Sequence, residues 1–220
     1  MASGPIIPHL GGMVRRLIQL FLGLALFGFS TGLMIRAGLG GNPWDVFHQG
    51  MALGSGQSLG TVVVVTGIGV LLLWIPLRQR PGIGTICNVF MIGFWADIAM
   101  GLIPAAHNLL LAWAMLVSGI VLNGVAGGAY IGAGLGPGPR DGLMTGLMLR
   151  TGRSVRLIRT GIELTVVAAG WMLGGTVGIG TALYALAIGP ILQIALPFFT
   201  ISEKAPDLDV ASDCFPEPSA

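Results

Sequence analysis

The fold of this chain is decided by a stretch that it contains twice. Residues 35–50 read IRAGLGGNPWDVFHQG, and residues 131–146, which lie 96 positions later, read IGAGLGPGPRDGLMTG. The same offset holds downstream, where the run Gly-Ile-Gly-Thr at 82–85 recurs at 178–181. A repeat of this length without a gap predicts a molecule made of two related halves.

The composition predicts that both halves lie in a membrane. Of the 220 residues, 54% are hydrophobic and only 9% are charged, whereas soluble domains carry about a quarter charged residues. The net charge of +2 is too small to indicate a nucleic-acid partner. The two cysteines form neither a disulfide framework nor a metal site, and no nucleophile with a base is visible. We therefore expect no catalytic residues, no metal and no cofactor, and no enzyme.

Six apolar stretches are long enough to cross a bilayer core, which takes roughly 20 helical residues. They are residues 17–35, 59–77, 85–103, 110–131, 157–174 and 179–199. If the N-terminus is cytoplasmic, ten of the eleven basic residues fall on the inner side, and Arg36 alone falls outside. Since three spans per half is an odd number, the halves must cross in opposite directions. The sequence predicts an all-α integral membrane protein of the inner (plasma) membrane, with six transmembrane helices in an inverted-topology 3+3 repeat and both termini cytoplasmic.

The chain divides into four segments on this interpretation. They are a cytoplasmic N-terminal segment at 1–14, membrane repeat 1 at 15–106, membrane repeat 2 at 107–200, and a polar cytoplasmic tail at 201–220. We expect the tail to be disordered because nothing in it is periodic. The expected partners are the lipid bilayer and an unknown small solute or ion, and a homo-oligomer is compatible with the sequence.

Each half carries the element Gly-Leu-Gly-x-x-Pro-x-Asp, at 38–45 and at 134–141. An N-cap residue, a proline and an acid mark a helix start in both copies: Asn42, Pro43 and Asp45, and then Gly138, Pro139 and Asp141. The helices that follow, predicted at 43–53 and 139–150, are about 16 Å long, or half a bilayer. The sequence leaves open whether they are re-entrant half-helices or lie along the membrane interface.

The two short helices are the main candidates for a functional site. Their N-terminal ends could hold an anionic group, or their acids could hold a cation. Ordinary helix capping by the acids is the alternative. Asp97 in the third span and its equivalent Gln193 in the sixth are further candidates, because an intramembrane carboxylate is costly to bury. The predicted pathway residues are Gly38, Gly40, Pro43, Asp45, Asp97, Gly134, Gly136, Pro139, Asp141 and Gln193.

Other polar side chains in the spans have a structural explanation. Glu163 follows Arg159 by four residues, so an ion pair near the inner interface accounts for both. Asn88 and its equivalent Tyr184 either line the same path or form hydrogen bonds between helices.

The doubled motif resembles the YczE-like integral membrane proteins of bacteria, relatives of the YitT group. The shared pattern is Ala-Gly-Leu-Gly-x-x-Pro-x-Asp-Gly-Leu, then Gly-x-Ser, then Gly-x-x-Gly-Ile-Gly-Thr, and it covers about 15–200. The second half fits best, whereas the first departs at Trp44, at Val46 and over 78–81. The resemblance implies a membrane location and a fold rather than a substrate.

Two functions follow as expectations. The first is a small-solute transporter or permease whose pathway runs along the interface between the repeats. The alternative is a non-transporting membrane accessory protein that positions a partner enzyme. A transporter needs its pathway acids to be reachable from water, whereas a scaffold needs them only to be hydrogen-bonded.

Overall fold

The computed structural model describes residues 10–201, which form eight α-helices and no strand. The helices are α1 (Leu10–Ala37), α2 (Pro43–Ser55), α3 (Leu59–Leu77), α4 (Ile83–Leu102), α5 (Leu109–Gly132), α6 (Pro139–Thr151), α7 (Val155–Met172) and α8 (Ile179–Phe199). The predicted all-α class is confirmed for this part of the chain. The tail expected to be disordered lies almost entirely outside the described residues, as does most of the segment 1–14.

Among the described helices, α1, α3, α4, α5 and α8 are long and apolar enough to cross a membrane. They coincide with five of the six predicted spans. The sixth, 157–174, coincides with α7, which has 18 residues and carries Arg156, Arg159 and Glu163 in its first half. Because these charges lower its hydropathy, the crossing of α7 and the inverted six-span arrangement stay predictions.

The helices follow one another in the same order in both parts of the chain. The short helices, α2 at Pro43–Ser55 and α6 at Pro139–Thr151, have bounds that differ by 96 positions at both ends. The long helices α1 and α5 pack against each other at the centre, with α4 against α1 and α8 against α5. The short helices pack across this arrangement, since α2 lies against α7 and α6 lies against α3.

The two halves exchange equivalent contacts where the Gly-Leu-Gly turns meet the Gly-Ile-Gly-Thr turns. The backbone N–H of Gly84 donates to the carbonyl of Leu135 at 2.8 Å, and that of Gly180 donates to the carbonyl of Leu39, also at 2.8 Å. Leu135 is the equivalent of Leu39, and Gly180 is the equivalent of Gly84. Each half therefore anchors the turn before the other half's short helix.

Four of the predicted site glycines shape these turns. Their φ angles are positive: 69° at Gly38, 87° at Gly40, 67° at Gly134 and 127° at Gly136. This region of φ is open to glycine and costly for other residues. A Cβ on Gly40 would also lie 2.6 Å from the backbone nitrogen of Gly178. The glycines therefore let the backbone turn sharply while it touches the opposite half.

Candidate binding cavity between the two halves

The short helices α2 and α6 start by the signals that the sequence contains. The side-chain oxygen of Asn42 accepts a hydrogen bond from the backbone N–H of Trp44 at 3.1 Å, and Pro43 is the first helical residue. Pro139 begins α6 after Gly138, which offers no side-chain cap. Each helix has 13 residues, about 20 Å, which is shorter than a bilayer core of about 30 Å. Neither short helix can therefore span a membrane.

A cavity of about 160 Å³ lies between the two halves, at the N-terminal ends of both short helices. Five pairs of repeat-equivalent residues line it: Phe27 with Asn123, Asn42 with Gly138, Trp44 with Arg140, Asn88 with Tyr184, and Ile92 with Ile188. The members of the first four pairs differ in chemistry, whereas the fifth pair is isoleucine on both sides. The cavity is therefore built from equivalent positions, yet its two sides present different groups.

Charged side chains of both signs line this cavity. The guanidinium of Arg140 stacks over the ring of Trp44, 4.8 Å from the ring centroid, where a cation is attracted by the aromatic face. The carboxylate of Asp141 accepts a hydrogen bond from the hydroxyl of Tyr130 at 3.0 Å. Arg159 and Glu163 form the predicted ion pair at 2.9 Å and also line the cavity. The wall thus offers two cations and two carboxylates to a ligand.

Two polar side chains that line the cavity, Asn123 and Tyr184, belong to a chain of hydrogen bonds between helices. The Asn123 amide donates to the hydroxyl of Ser30 at 2.9 Å, and the Tyr184 hydroxyl donates to the Asn123 carbonyl oxygen at 2.9 Å. These bonds link α1, α5 and α8, and all three side chains are buried. Satisfied buried networks of this kind hold their members in fixed positions. Tyr184 therefore both lines the cavity and bonds between helices.

Asp45 and His48 lie one turn apart on α2 and are almost fully buried, at 3% and 2% exposure. Their nearest oxygen and nitrogen are 3.9 Å apart. Among the described residues, Oδ2 of Asp45 and Nδ1 of His48 have no hydrogen-bond partner. Burial raises the pKa of Asp45 to about 6, although the positive charge of Arg140 opposes this shift. Burial and the same arginine hold the pKa of His48 well below its usual value.

A second, smaller cavity of about 30 Å³ lies beside His48. Its polar lining comes from His48, Thr66, Asn88 and Arg140. Arg140 and Asn88 also line the larger cavity. Trp44, Ile92 and Pro139 line both cavities as well, so the two cavities are neighbours that share these walls.

Asp97 and Gln193, which the sequence placed on the same path, lie elsewhere. The carboxylate of Asp97 accepts hydrogen bonds from the Ser58 hydroxyl at 2.6 Å and from the backbone N–H of Gly60 at 2.7 Å. It therefore caps the start of α3 and lines neither cavity. Gln193 is exposed on α8 and lines neither cavity.

The structure brings together a part of the predicted site. Asp141 and Pro139 line the larger cavity, Asp45 is buried near Arg140, and Pro43 is buried at the start of α2. The glycines at 38, 40, 134 and 136 form the turns before the short helices and line neither cavity.

The lining residues that were not among the predicted pathway residues include Trp44, Arg140 and Asn123. A usable signal was present for each. Trp44 and Arg140 are where the two motif copies differ, and Asn123 is an amide inside an apolar span. Among the described residues, no three histidine, cysteine or acidic side chains cluster closely enough to hold a metal ion.

Comparison with known proteins agrees with the resemblance drawn from the motif. A family of unknown function, DUF6198, matches residues 14–197. The chain is 36% identical over 189 residues to the uncharacterized membrane protein YczE of Bacillus subtilis, covering 84% of this chain and 87% of that protein. It is 35% identical over 177 residues to an uncharacterized protein of Haemophilus influenzae, covering 80% and 81%. No solved structure matches.

The similarity to a protein named as a membrane protein and the five long apolar helices together support a membrane location. The resemblance to YczE-like proteins is confirmed by the same comparison. Because the matching family covers most of its length, the chain belongs to the DUF6198 family.

Proposed function

We propose that this membrane protein is a transporter or permease for a small polar solute, with its pathway at the interface between the two halves. The observation that carries the proposal is the cavity of about 160 Å³ lined by the ends of both short helices and by charged side chains. A buried cavity with a few converging polar groups is the usual form of a small-molecule site. A charged side chain at membrane depth costs free energy, and charged residues there usually serve a ligand or a pathway.

The topology proposed for this function is the inverted 3+3 repeat, with α7 as the sixth span. In it, α2 and α6 are half-helices that dip into the membrane from opposite sides. Irregular backbone at membrane depth is tolerated where protein or a cavity surrounds it, and residues 41–46 before and within α2 are buried. The reciprocal bonds of Gly84 to Leu135 and of Gly180 to Leu39 are the contacts that a two-fold relation between the halves requires.

The solute class follows from the charges in the wall. Arg140 and Arg159 are balanced by Asp141 and Glu163, so the cavity does not select strongly for a single sign of charge. A small zwitterion, or a solute with both hydrogen-bond donors and acceptors, fits this wall better than an apolar molecule. The unequal chemistry of the equivalent positions also suits a solute whose two ends differ.

Reaction of single cysteines with a membrane-impermeant thiol reagent tests the proposal. In a background with Cys87 and Cys214 replaced by serine, we expect Met144→Cys and Gly127→Cys to react, because both positions line the cavity. A Cβ on Gly127 meets only the flexible end of Leu192, at 3.3 Å. The matched control is Val121→Cys, which lies on the same helix but is 45% exposed on the apolar surface.

The thiol of Val121→Cys should stay inert, because a thiol in an apolar surrounding is held in its protonated form. Inertness at Met144 and Gly127 as well would contradict a water-accessible pathway. It would instead favour the accessory-protein alternative. That alternative has its own supporting observation, since α8 is the least buried of the candidate spans and leaves most of its surface open to lipid or a partner helix.

A further inference from the structure

The buried pair of Asp45 and His48 is the feature that the cavity alone does not explain. Both side chains are more than nine-tenths buried, and each has a polar atom without a hydrogen-bond partner among the described residues. The hydroxyl of Thr31 on α1 also has no partner within hydrogen-bond geometry, but it lies near enough to the Asp45 carboxylate to oppose the rise in its pKa. Buried polar atoms are nearly always paired, so a group of unpaired ones indicates a ligand or a functional demand.

Several helices pack near the pair of Asp45 and His48, but most of their charged or titratable side chains already have a partner. Helix α3, which packs against α2, has no titratable side chain. On α1, Arg36 donates to the carbonyl of Met100. On α7, Arg159 and Glu163 pair with each other, and on α8 the Tyr184 hydroxyl donates to Asn123. Arg140 on α6 is the charge that acts on both Asp45 and His48.

We propose that Asp45 binds a proton, that His48 carries this proton between Asp45 and the small cavity, and that the proton's presence determines whether the positive charge of Arg140 is balanced. In its use for transport, this inference rests on the proposed function. A proton fits the site better than a metal ion. The pair offers only two ligating side chains, no third acid, histidine or cysteine joins them among residues 10–201, and the positive charge of Arg140 opposes a cation.

The path of the proton follows from which residues line the small cavity. At about 30 Å³ it exceeds the roughly 15 Å³ that one water needs, and it has the polar neighbours that a water requires. His48 lines this cavity, whereas Asp45 does not. A water there that has received a proton passes it to Nε2 of His48, and Nδ1 gives its own proton to the Asp45 carboxylate. The water and the imidazole both end neutral, and the remaining imidazole proton is on Nε2. The 3.9 Å between Nδ1 and Oδ1 is about 1 Å longer than a hydrogen bond, a gap that a small side-chain rotation closes.

The link to the larger cavity is Arg140, which lines both cavities. When Asp45 is ionised, Arg140 has a buried negative charge beside it. When Asp45 is protonated, that countercharge is gone and the wall of the larger cavity becomes more positive by one charge. Proton binding thus changes what the larger cavity attracts without any movement of the backbone.

An infrared pH titration of the full chain in lipid tests this inference, with the carbonyl stretch of a protonated carboxylic acid as the signal. We expect a band that disappears on raising the pH, with a midpoint at least about one unit above the ordinary aspartate value of about 3.9. It should be absent in Asp45→Asn and unchanged in the control Asp97→Asn, whose carboxylate already accepts two hydrogen bonds. Arg140→Gln should raise the midpoint, because a nearby positive charge is lost, whereas Arg140→Lys should retain it.

The role of His48 is read from the rate at which the band shifts when water is exchanged for D₂O. His48→Phe should slow this exchange at least about tenfold, since among residues 10–201 no other histidine and no acid lines the small cavity. A band that persists in Asp45→Asn, or a midpoint that ignores Arg140→Gln, would overturn the inference. A midpoint that moves with sodium concentration at constant ionic strength would identify a cation site instead.

The titration also keeps the two proposals apart. If Asp45→Asn does not fold, the Arg140 and His48 variants still decide the question on the native aspartate. Because the titration needs no solute, a normal titration with inert cavity cysteines would reject the transport pathway and retain the proton site. If the cavity cysteines react but the infrared band is absent, the proton site would be rejected and the transport pathway retained.

Discussion

Arg140 and Trp44 occupy equivalent positions in the two copies of the repeated motif, and their side chains stack on each other. Where two halves are related by a two-fold rotation, a residue that lies close to the axis meets its own equivalent. Two identical residues there would give a symmetric cavity. Here one side of the cavity has a cation and the other has an aromatic ring, so its two sides are not equivalent. The divergence of a duplicated position therefore makes the two sides of the cavity chemically unequal.

The buried carboxyl of Asp45 predicts a pH-dependent stability. Its pKa rises from 3.8 to about 6 in the folded protein, so the folded state holds a proton that the unfolded chain has already released between these values. Stability from this group is complete below pH 3.8 and is lost as the pH rises through about 6. Relative to the parent, Asp45→Asn should therefore become more stable between pH 4 and pH 7, by up to about 3 kcal/mol.

Thermal unfolding in detergent at several pH values measures this difference. Asp97→Asn is the control, and it should be destabilised at neutral pH because it loses acceptors for the Ser58 hydroxyl and the Gly60 N–H. A difference between parent and Asp45→Asn that stays constant with pH would show that Asp45 is ionised in both states.

At the scale of single residues, the sequence located the repeated motif but did not indicate what each of its side chains contacts. Asp141 and Asp45 belong to one pattern, yet Asp141 lines the larger cavity and Asp45 is buried away from it. The neighbouring helices decide this outcome, because α2 packs on α7 and α6 packs on α3. A local pattern does not contain that information. Asp97 was misleading for a similar reason, since its two hydrogen-bond donors lie on another helix, α3 and its cap.

At the scale of helices, the Gly-Leu-Gly turns determine where each short helix begins and what it faces. The turn before α2 touches residues 178–181 of the opposite half. The cavity therefore needs both turns in place, because they position the N-terminal ends that line it. The bounds of α2 and α6 that were predicted from proline and the cap residues lie within two residues of the observed bounds. The packing of α2 on α7 and of α6 on α3 had no local signal in the sequence.

Two glycines of the same region predict opposite effects of a methyl group. Gly40→Ala should strongly reduce the yield and thermal stability of the folded protein, because its φ is 87° and the new Cβ would lie 2.6 Å from Gly178. Gly54→Ala is the matched variant within α2, where nothing lies within 4 Å of the added Cβ. It should stabilise the helix by roughly 0.5–1 kcal/mol. Equal tolerance of both changes in a thermal-shift assay would contradict the proposed role of the turn.

At the scale of the whole molecule, the number of membrane crossings depends on whether α7 crosses, and the distribution of charge on α7 bears on that question. Arg156, Arg159 and Glu163 lie in its first half, and the second half, from Leu164 to Met172, has no charge. This division is what a helix shows when it enters from a basic inner interface. Composition averaged over the whole helix hides it, which is why α7 is the one predicted span that the hydropathy of the described helices does not support.

The position of the turn between α7 and α8 separates the two topologies. If α7 crosses, that turn lies outside the cell and the C-terminus inside. If α7 does not cross, the turn lies inside, and α8 carries the C-terminus outside.

We expect Val177→Cys, at a site with 43% exposure, to react with an impermeant thiol reagent in intact cells, with Cys87 and Cys214 replaced by serine. His107→Cys after α4 should react in the same way, and Gln79→Cys after α3 should react only in opened cells. Labelling of Val177→Cys only in opened cells, with the other two as expected, would place α7 on the inner surface and remove the inverted repeat from the proposed function.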